Sequence, residues 1–336
     1  MAHRCAILDD YQNVVTKLAD WSIPDVEVKV FNEPFADQKA AVVALKGFSI
    51  ICMMRERTPF LKPTLEQLPD LKLLLTSGMR NASIDLEYAA EHGITVCGTE
   101  AAGQPTAELA IGIMLELARK IGYENARMKQ GVPWQSTLGI ELAGKTLGLL
   151  GFGKLGTKVG AIGKAIGMNL IAWSENLTDE KAKAGGAAHV SKEELFRQSD
   201  FLSIHLQLSA RTRGLVGAKD LALMKPTAFL INTSRGPIVN EPALLSSLGQ
   251  RKLAGAGLDT FDVEPLPVNH PLRKLDNVVL TPHLGYVSQE GYKVYYTQMV
   301  ENIKAWLAGS PVRVRTAVTS STRCSPPRTT TEPATA

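Results

Sequence analysis

Short apolar runs of strand length alternate with stretches of helical spacing over the first hundred residues. The apolar runs lie at residues 5–8, 26–30, 49–53, 71–75 and 94–97. The helical stretches lie between them, at residues 12–20, 36–46, 64–68 and 84–92. Because such alternation is typical of parallel sheets covered by helices on both faces, it predicts a doubly wound α/β domain. This part of the chain has no glycine-rich fingerprint, so we do not expect it to hold a nucleotide.

A second alternation begins at Thr146 and predicts a second parallel sheet. Its strand-like runs lie near residues 146–150, 169–173, 201–206, 227–232, 254–258 and 278–280. Before it, residues 106–129 form one long helix candidate that is apolar on most faces, which predicts burial between domains or between subunits. Residues 289–308 have the pattern of a final amphipathic helix. From residue 313 the chain becomes rich in Thr, Ser, Pro, Ala and Arg without periodicity, which predicts a disordered tail over 313–336.

Composition narrows the class of protein. The chain has 336 residues, of which 45% are hydrophobic and 21% charged, as in ordinary globular enzymes of about two domains. The net charge of +4 comes without a basic stripe interleaved with aromatics, so nucleic acid is not an expected partner. No apolar run approaches a membrane span and the N-terminus lacks a signal core, so we expect a cytoplasmic protein with no membrane partner. Cys5, Cys52 and Cys97 lie in strand-like runs, which predicts buried thiols and no metal site.

The segment Gly151-Phe-Gly153-Lys-Leu-Gly156 follows an apolar run and precedes a helical pattern. In that context G-x-G-x-x-G indicates a dinucleotide site rather than a plain tight turn. The first glycine makes the turn, the second lets the backbone approach a pyrophosphate, and the third lets helix and strand pack closely. The helix N-terminus then offers N–H groups to the phosphates.

The position that normally distinguishes NAD from NADP is unusual here. An acidic residue about 20 positions after the glycines usually holds the ribose hydroxyls. Ser174 stands at that position and Glu175 follows it. Because Glu175 would repel a 2′-phosphate, the sequence favours NAD, although Lys181 and Lys183 leave NADP possible. The alternative is that Glu175 only faces solvent.

Three later strand ends supply an arginine, a carboxylate and an imidazole. Arg235 follows Ile231-Asn-Thr-Ser, Glu264 lies shortly after Gly257-Leu-Asp, and His283 follows Leu280-Thr-Pro. Taken singly, each has an ordinary interpretation: a surface arginine, a loop residue before proline, a structural histidine. Since ligands bind beyond the carboxyl ends of parallel strands, we expect the three to converge on the nicotinamide.

The order of these motifs resembles that of the D-isomer-specific 2-hydroxyacid dehydrogenases. The resemblance covers roughly residues 3–310 and includes N-T-S-R-G-P-I-V at 232–239, D-x-x-x-x-E-P at 259–265 and T-P-H-L-G at 281–285. It implies two doubly wound α/β domains: a flavodoxin-like substrate domain of residues 1–104 plus 289–312, and an inserted Rossmann NAD-binding domain of residues 105–288. It also implies a homodimer and a cleft between the domains that closes over the substrate.

The resemblance assigns roles to the candidate residues. His283 would be the general acid/base, Glu264 would hydrogen-bond to it and keep the imidazolium populated, and Arg235 would bind the substrate carboxylate. Asp259 would support this site and contact the cofactor amide. Cofactor-binding positions would be Gly151, Gly153, Lys154, Leu155, Gly156, Ser174, Glu175, His205, Leu206, Thr233, Asp259 and Thr106. The backbone of a loop in the first domain would hold the carboxylate together with Arg235, and its residues are Ser77, Gly78, Met79 and Arg80.

The sequence also departs from the family pattern. Ser174 replaces the usual acid, Met79-Arg80 replaces small residues in the carboxylate loop, and the chain after Pro311 does not resemble the usual return to the first domain. Two alternatives to a reversible D-2-hydroxyacid dehydrogenase therefore stay open. One is a corepressor-like protein that only senses NAD(H), which has no need of a proton relay. The other is a Rossmann methyltransferase, which has no use for Glu264 and His283.

Overall fold

The computed structural model describes residues 2–101 and 105–316, which divide into two compact units. The strands are β1 His3–Ile7, β2 Val26–Val30, β3 Ile50–Met53, β4 Leu73–Thr76, β5 Thr95–Cys97, β6 Thr146–Leu150, β7 Asn169–Trp173, β8 Ala188–His189, β9 Phe201–Ile204, β10 Phe229–Asn232, β11 Gly255–Leu258 and β12 Val278–Leu280. The helices are α1 Val15–Leu18, α2 Gln38–Leu45, α3 Lys62–Leu65, α4 Leu86–Glu91, α5 Pro105–Arg119, α6 Ile121–Lys129, α7 Lys154–Ala165, α8 Asp179–Ala184, α9 Lys192–Gln198, α10 Ala218–Leu221, α11 Glu241–Gly249 and α12 Gln289–Leu307. Short 3-10 turns lie at Gly236–Ile238 and Pro271–Lys274.

Within the described residues, the first unit contains residues 2–101 and 289–316. Its five strands are all parallel, in the order β2-β1-β3-β4-β5. This is the flavodoxin-like order. β3 and β4 are buried along their whole length, as expected for strands covered on both faces.

Within the described residues, the second unit extends from Pro105 to Ser288. Its seven strands are also parallel, in the order β12-β11-β10-β9-β6-β7-β8. From β6 the strands continue outward on both sides, with β7 and β8 on one side and β9 to β12 on the other. This is the Rossmann arrangement, and its switch point lies between β6 and β9. The predicted doubly wound fold is therefore confirmed. The sequence did not predict the two-residue strand β8.

The prediction of one long helix over residues 106–129 is wrong, because the structure has two helices there, α5 and α6. Lys120 adopts a left-handed backbone conformation with φ +51°, which separates α5 from α6. The Glu116 side chain accepts a hydrogen bond from the N–H of Gly122 at 2.8 Å and so stabilises the first turn of α6. α6 has no buried residue.

The burial of α5 comes from the second unit's own sheet, whereas the sequence favoured a position between domains or subunits. Ala110, Ile113 and Met114 share one apolar core with β6 and α7. A Cβ atom at Gly257 on β11 would overlap the side chain of Ile113. This glycine lets α5 lie directly against the sheet.

The predicted tail begins too early, because residues 313–316 are hydrogen-bonded to the first unit. Val314 pairs antiparallel with Cys97 of β5. The N–H of Gly98 donates to Arg313 O at 3.0 Å, and the N–H of Arg315 donates to Val96 O at 2.7 Å. The chain therefore does return to the first sheet after α12, contrary to our expectation for the segment after Pro311. Residues 317–336 of the predicted tail lie outside the described residues.

Among the residues that the structure describes, no helix is both long enough and apolar enough to cross a membrane.

Candidate active site

The sequence-predicted residues of the second unit follow four of its parallel strands at the same sheet edge. Gly151 follows β6, Arg235 lies three residues after β10, Asp259 follows β11, and His283 lies three residues after β12. Because carboxyl ends of parallel strands meet at one edge, the topology gathers these residues where α/β sheets bind ligands.

The glycine turn has the shape that a dinucleotide requires. Gly151 has φ +100°, and a Cβ atom there would lie 2.6 Å from the carbonyl oxygen of His205. A Cβ atom at Gly156 would overlap the carbonyl oxygen of Gly151, so this glycine permits the close approach of α7. Gly153 begins α7 without a side-chain cap, and a Cβ atom there would meet nothing within 4 Å. Open space beside an uncapped twelve-residue helix fits a pyrophosphate, with Lys154 and Leu155 in the first helical turn.

Buried polar atoms on two side chains directly after β9 and β10 also fit a bound cofactor. Both ring nitrogens of His205 and the hydroxyl of Thr233 are buried without a hydrogen-bond partner among the described residues. Desolvation lowers the pKa of His205 to about 4, so its imidazole is neutral near pH 7. Buried polar groups normally have partners, and a polar ligand at this edge would supply them. Leu206, the next residue, packs partly buried against the apolar core.

The residues after β7 are open to solvent. Ser174 is half-buried and Glu175 is exposed at the start of a turn closed by the Leu177 N–H and Ser174 O. Lys181 and Lys183 lie on α8 and are both exposed. The structure therefore leaves Glu175 accessible to a ribose.

His283 and Glu264 form a short hydrogen bond. His283 Nδ1 lies 2.6 Å from Glu264 Oε2, and both residues are partly exposed. Burial raises the pKa of Glu264, but the hydrogen bond and charge of His283, the N–H of Phe261 and the charge of Arg235 outweigh it and leave this pKa below its usual value. Because a charged carboxylate only accepts, Nδ1 carries the proton in this bond. Nε2 is the ring nitrogen left for proton exchange.

Arg235 is placed by the turn after β10. The Asn232 side chain donates to Arg235 O at 3.0 Å and accepts from the N–H of Ser234 at 3.0 Å. The Ser234 hydroxyl donates to Ile204 O at 2.7 Å. A Cβ atom at Gly236 would overlap the main chain of Phe261, so the loops after β10 and β11 touch. This contact brings Arg235 near enough to Glu264 to lower the pKa of that carboxyl group.

Asp259 holds the loop that carries His283. Its Oδ1 accepts from the Thr281 hydroxyl at 2.6 Å and the Leu284 N–H at 2.7 Å, and its Oδ2 accepts from the Gly285 N–H at 2.8 Å. The Thr106 hydroxyl donates to Gly285 O at 2.5 Å. Asp259, which the resemblance placed in support of the site and at the cofactor amide, and Thr106, which we predicted at the cofactor, thus both use side-chain oxygens to fix this loop. For Thr106 the sequence carried no signal for that role.

The carboxylate loop in the first unit differs from the expectation in one respect. The N–H of Ser77 donates to Met53 O at 3.3 Å, and that of Gly78 donates to the Thr99 hydroxyl at 2.8 Å. These two N–H groups are already engaged, so their predicted role in holding a carboxylate is not supported. Met79 and Arg80 follow them at the surface of the loop.

Arg55, in the loop after β3, makes contacts with the carboxylate loop that the sequence did not predict. It adopts a left-handed conformation with φ +52°. Its N–H donates to Ser77 Oγ at 2.8 Å and its guanidinium donates to Ser77 O at 3.1 Å. Arg55 thereby ties the loop after β3 to the loop after β4.

A Rossmann unit with a glycine turn, an arginine and a hydrogen-bonded His–Glu pair at one sheet edge defines a nicotinamide-dependent dehydrogenase. Comparison with known proteins gives the particular family. Residues 111–285 match the family model described as "D-isomer specific 2-hydroxyacid dehydrogenase, NAD binding domain". The chain therefore belongs to the D-isomer-specific 2-hydroxyacid dehydrogenase family, whose fold and NAD-dependent oxidoreductase chemistry we predicted.

Individual relatives agree with this family. The chain is 40% identical over 254 residues to a glyoxylate reductase of Aeropyrum pernix, covering 73% of this chain and 76% of the relative. It is 38% identical over 294 residues to a glyoxylate reductase of Thermococcus litoralis, covering 84% of this chain and 88% of the relative. Among solved structures, a putative D-3-phosphoglycerate dehydrogenase from Ralstonia solanacearum superposes with a TM-score of 0.87 at 35% identity. The match covers 93% of this chain and 96% of that structure's chain.

Proposed function

We propose that the protein reversibly reduces a small 2-oxo acid to its D-2-hydroxy acid, with His283 as general acid/base. The observation that supports this proposal is the 2.6 Å hydrogen bond between His283 Nδ1 and the Glu264 carboxylate, whose pKa is lowered. NADH, when bound, supplies the hydride for the carbonyl carbon. A site that only senses the cofactor has no need of this hydrogen-bonded His–Glu pair, so the pair favours an enzyme over the corepressor-like alternative.

The chain's own groups would divide the remaining work. Nε2 of His283 would give its proton to the substrate oxygen during reduction and remove it during oxidation. Glu264 would stabilise the charged imidazolium and hold its orientation. The fork of donors on Arg235 suits a substrate carboxylate. Gly151, Gly153, Gly156, His205 and Thr233 would hold the cofactor.

The relatives suggest which substrate to test first. Two of them are glyoxylate reductases, so glyoxylate leads a panel with hydroxypyruvate, pyruvate and phenylpyruvate. The experiment measures NADH oxidation with each acid, for the wild type and for His283→Asn. We expect turnover with at least one acid and a loss of about 100-fold or more in the variant. No turnover with any acid, or full activity without His283, contradicts the proposal.

A preference for NADH over NADPH is part of the proposal. Glu175 is exposed directly after Ser174, where a ribose 2′-oxygen would lie in this fold. A carboxylate there hydrogen-bonds a hydroxyl and repels a phosphate. The ratio of kcat/KM for the two cofactors tests this preference, and a higher value for NADPH contradicts it.

We further infer a homodimer formed through the segment of residues 121–140. Trp134 is 75% exposed and Leu138 is 96% exposed, and Tyr123 and Met128 are also exposed there. Apolar side chains clustered in one surface segment are typical of an interface. Sedimentation equilibrium of the wild type and of a Trp134→Ser, Leu138→Ser variant tests the dimer, which should dissociate in the variant. A cytoplasmic location also stays a prediction.

A further inference from the structure

The main chain at His283 is firmly held, but the main chain alone does not orient the imidazole. His283 has φ +53°, a left-handed conformation that residues other than glycine seldom adopt. Asp259 accepts hydrogen bonds from the Thr281 hydroxyl before His283 and from the N–H groups of Leu284 and Gly285 after it, and so holds the loop on both sides of His283. The ring can still turn about its two side-chain torsions, of which the second is broad for histidine.

Glu264 fixes only one point of the ring. The bond from Nδ1 to Glu264 Oε2 leaves the imidazole able to hinge about that line. A second contact away from Nδ1 is needed to fix the ring plane and therefore the direction of Nε2.

Tyr286 supplies that second contact. Its ring centroid lies 5.4 Å from that of His283, with the two planes at 75°. This is the edge-to-face arrangement that aromatic pairs prefer. Tyr286 is only 8% exposed, so its ring is held in place by packing and is not a mobile surface group. His283 and Tyr286 lie in the same short loop. Within this loop the N–H of Val287 donates a hydrogen bond to Leu284 O at 2.8 Å.

We propose that Tyr286 is a positioning residue that holds the His283 imidazole so that Nε2 faces the substrate oxygen. The inference rests on the proposed role of His283 and extends it to a residue outside the Arg–Glu–His set. Tyr286 acts through its ring, so phenylalanine preserves the function and an aliphatic side chain does not.

The test compares Tyr286→Leu with Tyr286→Phe, using glyoxylate and NADH. We expect Tyr286→Leu to lower kcat by about three- to tenfold, the effect of losing one aromatic pair. The KM for NADH stays the same and the solvent isotope effect on kcat rises, because proton transfer becomes slower. Tyr286→Phe keeps most of kcat. A Phe variant as slow as the Leu variant overturns the proposal.

A double-mutant cycle separates positioning from a general structural effect. In the His283→Asn background, Tyr286→Leu should cause no further loss, since the ring that it positions is gone. An equal loss in both backgrounds overturns the proposal. Thermal unfolding of each variant identifies any that fails to fold, and the milder Tyr286→Met then replaces Tyr286→Leu in the cycle.

The imidazole itself gives a readout that does not depend on turnover. In ¹³C relaxation spectra of the whole protein, the imidazole C–H groups of His283 should report a rigid ring in the wild type and in Tyr286→Phe. In Tyr286→Leu their order parameters should fall, because the ring is then freer to hinge about its bond to Glu264. Unchanged spectra overturn the positioning role. If the wild type reduces no 2-oxo acid, the proposed function fails, and these spectra still decide the role of Tyr286.

Discussion

Gly236 lies against Phe261 so closely that any Cβ atom at position 236 would overlap the Phe261 main chain. The two residues belong to loops that follow different strands, β10 and β11. Arg235 precedes the glycine, and Glu264 lies three residues after Phe261 and accepts its N–H at 2.9 Å. The absence of one side chain thus allows the arginine and the carboxylate to share a site.

Gly236→Ala should therefore damage both stability and activity. One of the two main chains must move, so we expect a loss of about 1–3 kcal/mol in the free energy of unfolding and a lower kcat/KM. Gly249→Ala is the matched control, because a Cβ atom at that helical position meets nothing within 4 Å. Chemical denaturation and steady-state kinetics measure both effects. Equal behaviour of the two variants contradicts this account of Gly236.

Glu264 should contribute stability that is lost in acid. The pKa of this carboxyl group is lowered in the folded protein, so its interactions are complete above the unfolded-state value of about 4.5. They weaken as the pH falls through the lower folded value. We expect Glu264→Gln to be less stable than the wild type at pH 7 and the difference to shrink below about pH 4. Thermal midpoints at several pH values measure it, and a constant difference argues against the charge of Glu264.

His205 should show the pH dependence of a buried neutral imidazole. The unfolded chain binds a proton below about pH 6.5, whereas the folded chain does so only near its pKa of about 4. Stability from His205 is therefore complete above pH 6.5 and is lost as the pH falls towards 4, by up to about 3 kcal/mol. His205→Asn removes this component. Urea denaturation of cofactor-free protein at pH 7 and 4.5 should give a smaller decrease for the variant, and equal decreases refute the assignment.

Glu175 should determine cofactor choice more than the lysines of α8. Removing a charge near a phosphate at the surface is worth roughly 1–4 kcal/mol. We expect Glu175→Gln to lower the KM for NADPH by at least about fivefold and to change that for NADH less. Glu193→Gln, an exposed acid on α9, is the control. An unchanged KM for NADPH in Glu175→Gln would mean that this side chain only faces solvent.

The segment of residues 313–316 should stabilise the first unit. Three hydrogen bonds are lost if the chain ends at Ser310: the backbone bonds with Val96 of β5 and with Gly98 directly after β5, and the bond from Arg313 to the Asn302 side chain at 2.8 Å. At about 0.5–1.5 kcal/mol each, we expect a loss of about 2 kcal/mol or more. A chain ending at Thr316 keeps these bonds and is the control. Equal thermal midpoints for the two truncated chains would contradict the prediction.

Local patterns were sufficient for the architecture because they depend on neighbours in the chain. Strand-length apolar runs and the glycine turn at Gly151 predicted two parallel sheets and the cofactor unit, since both signals arise within a few residues. They failed where a conformation depends on a single residue or on distant partners. Lys120 gives no composition signal for its left-handed turn, and the pairing of Val314 with Cys97 joins positions more than two hundred residues apart.

By itself, the sequence determined the family, the two sheets and the residue types of the site, because motif order and periodicity are written in the chain. The tertiary structure decided how those residues are used. Asp259 and Thr106 hold a loop. The N–H of Gly78 donates a hydrogen bond to the Thr99 hydroxyl, and Tyr286 packs against His283. The physical reason is that a hydrogen bond or ring contact depends on distance and direction in space, and these exist only after the strands have been placed side by side.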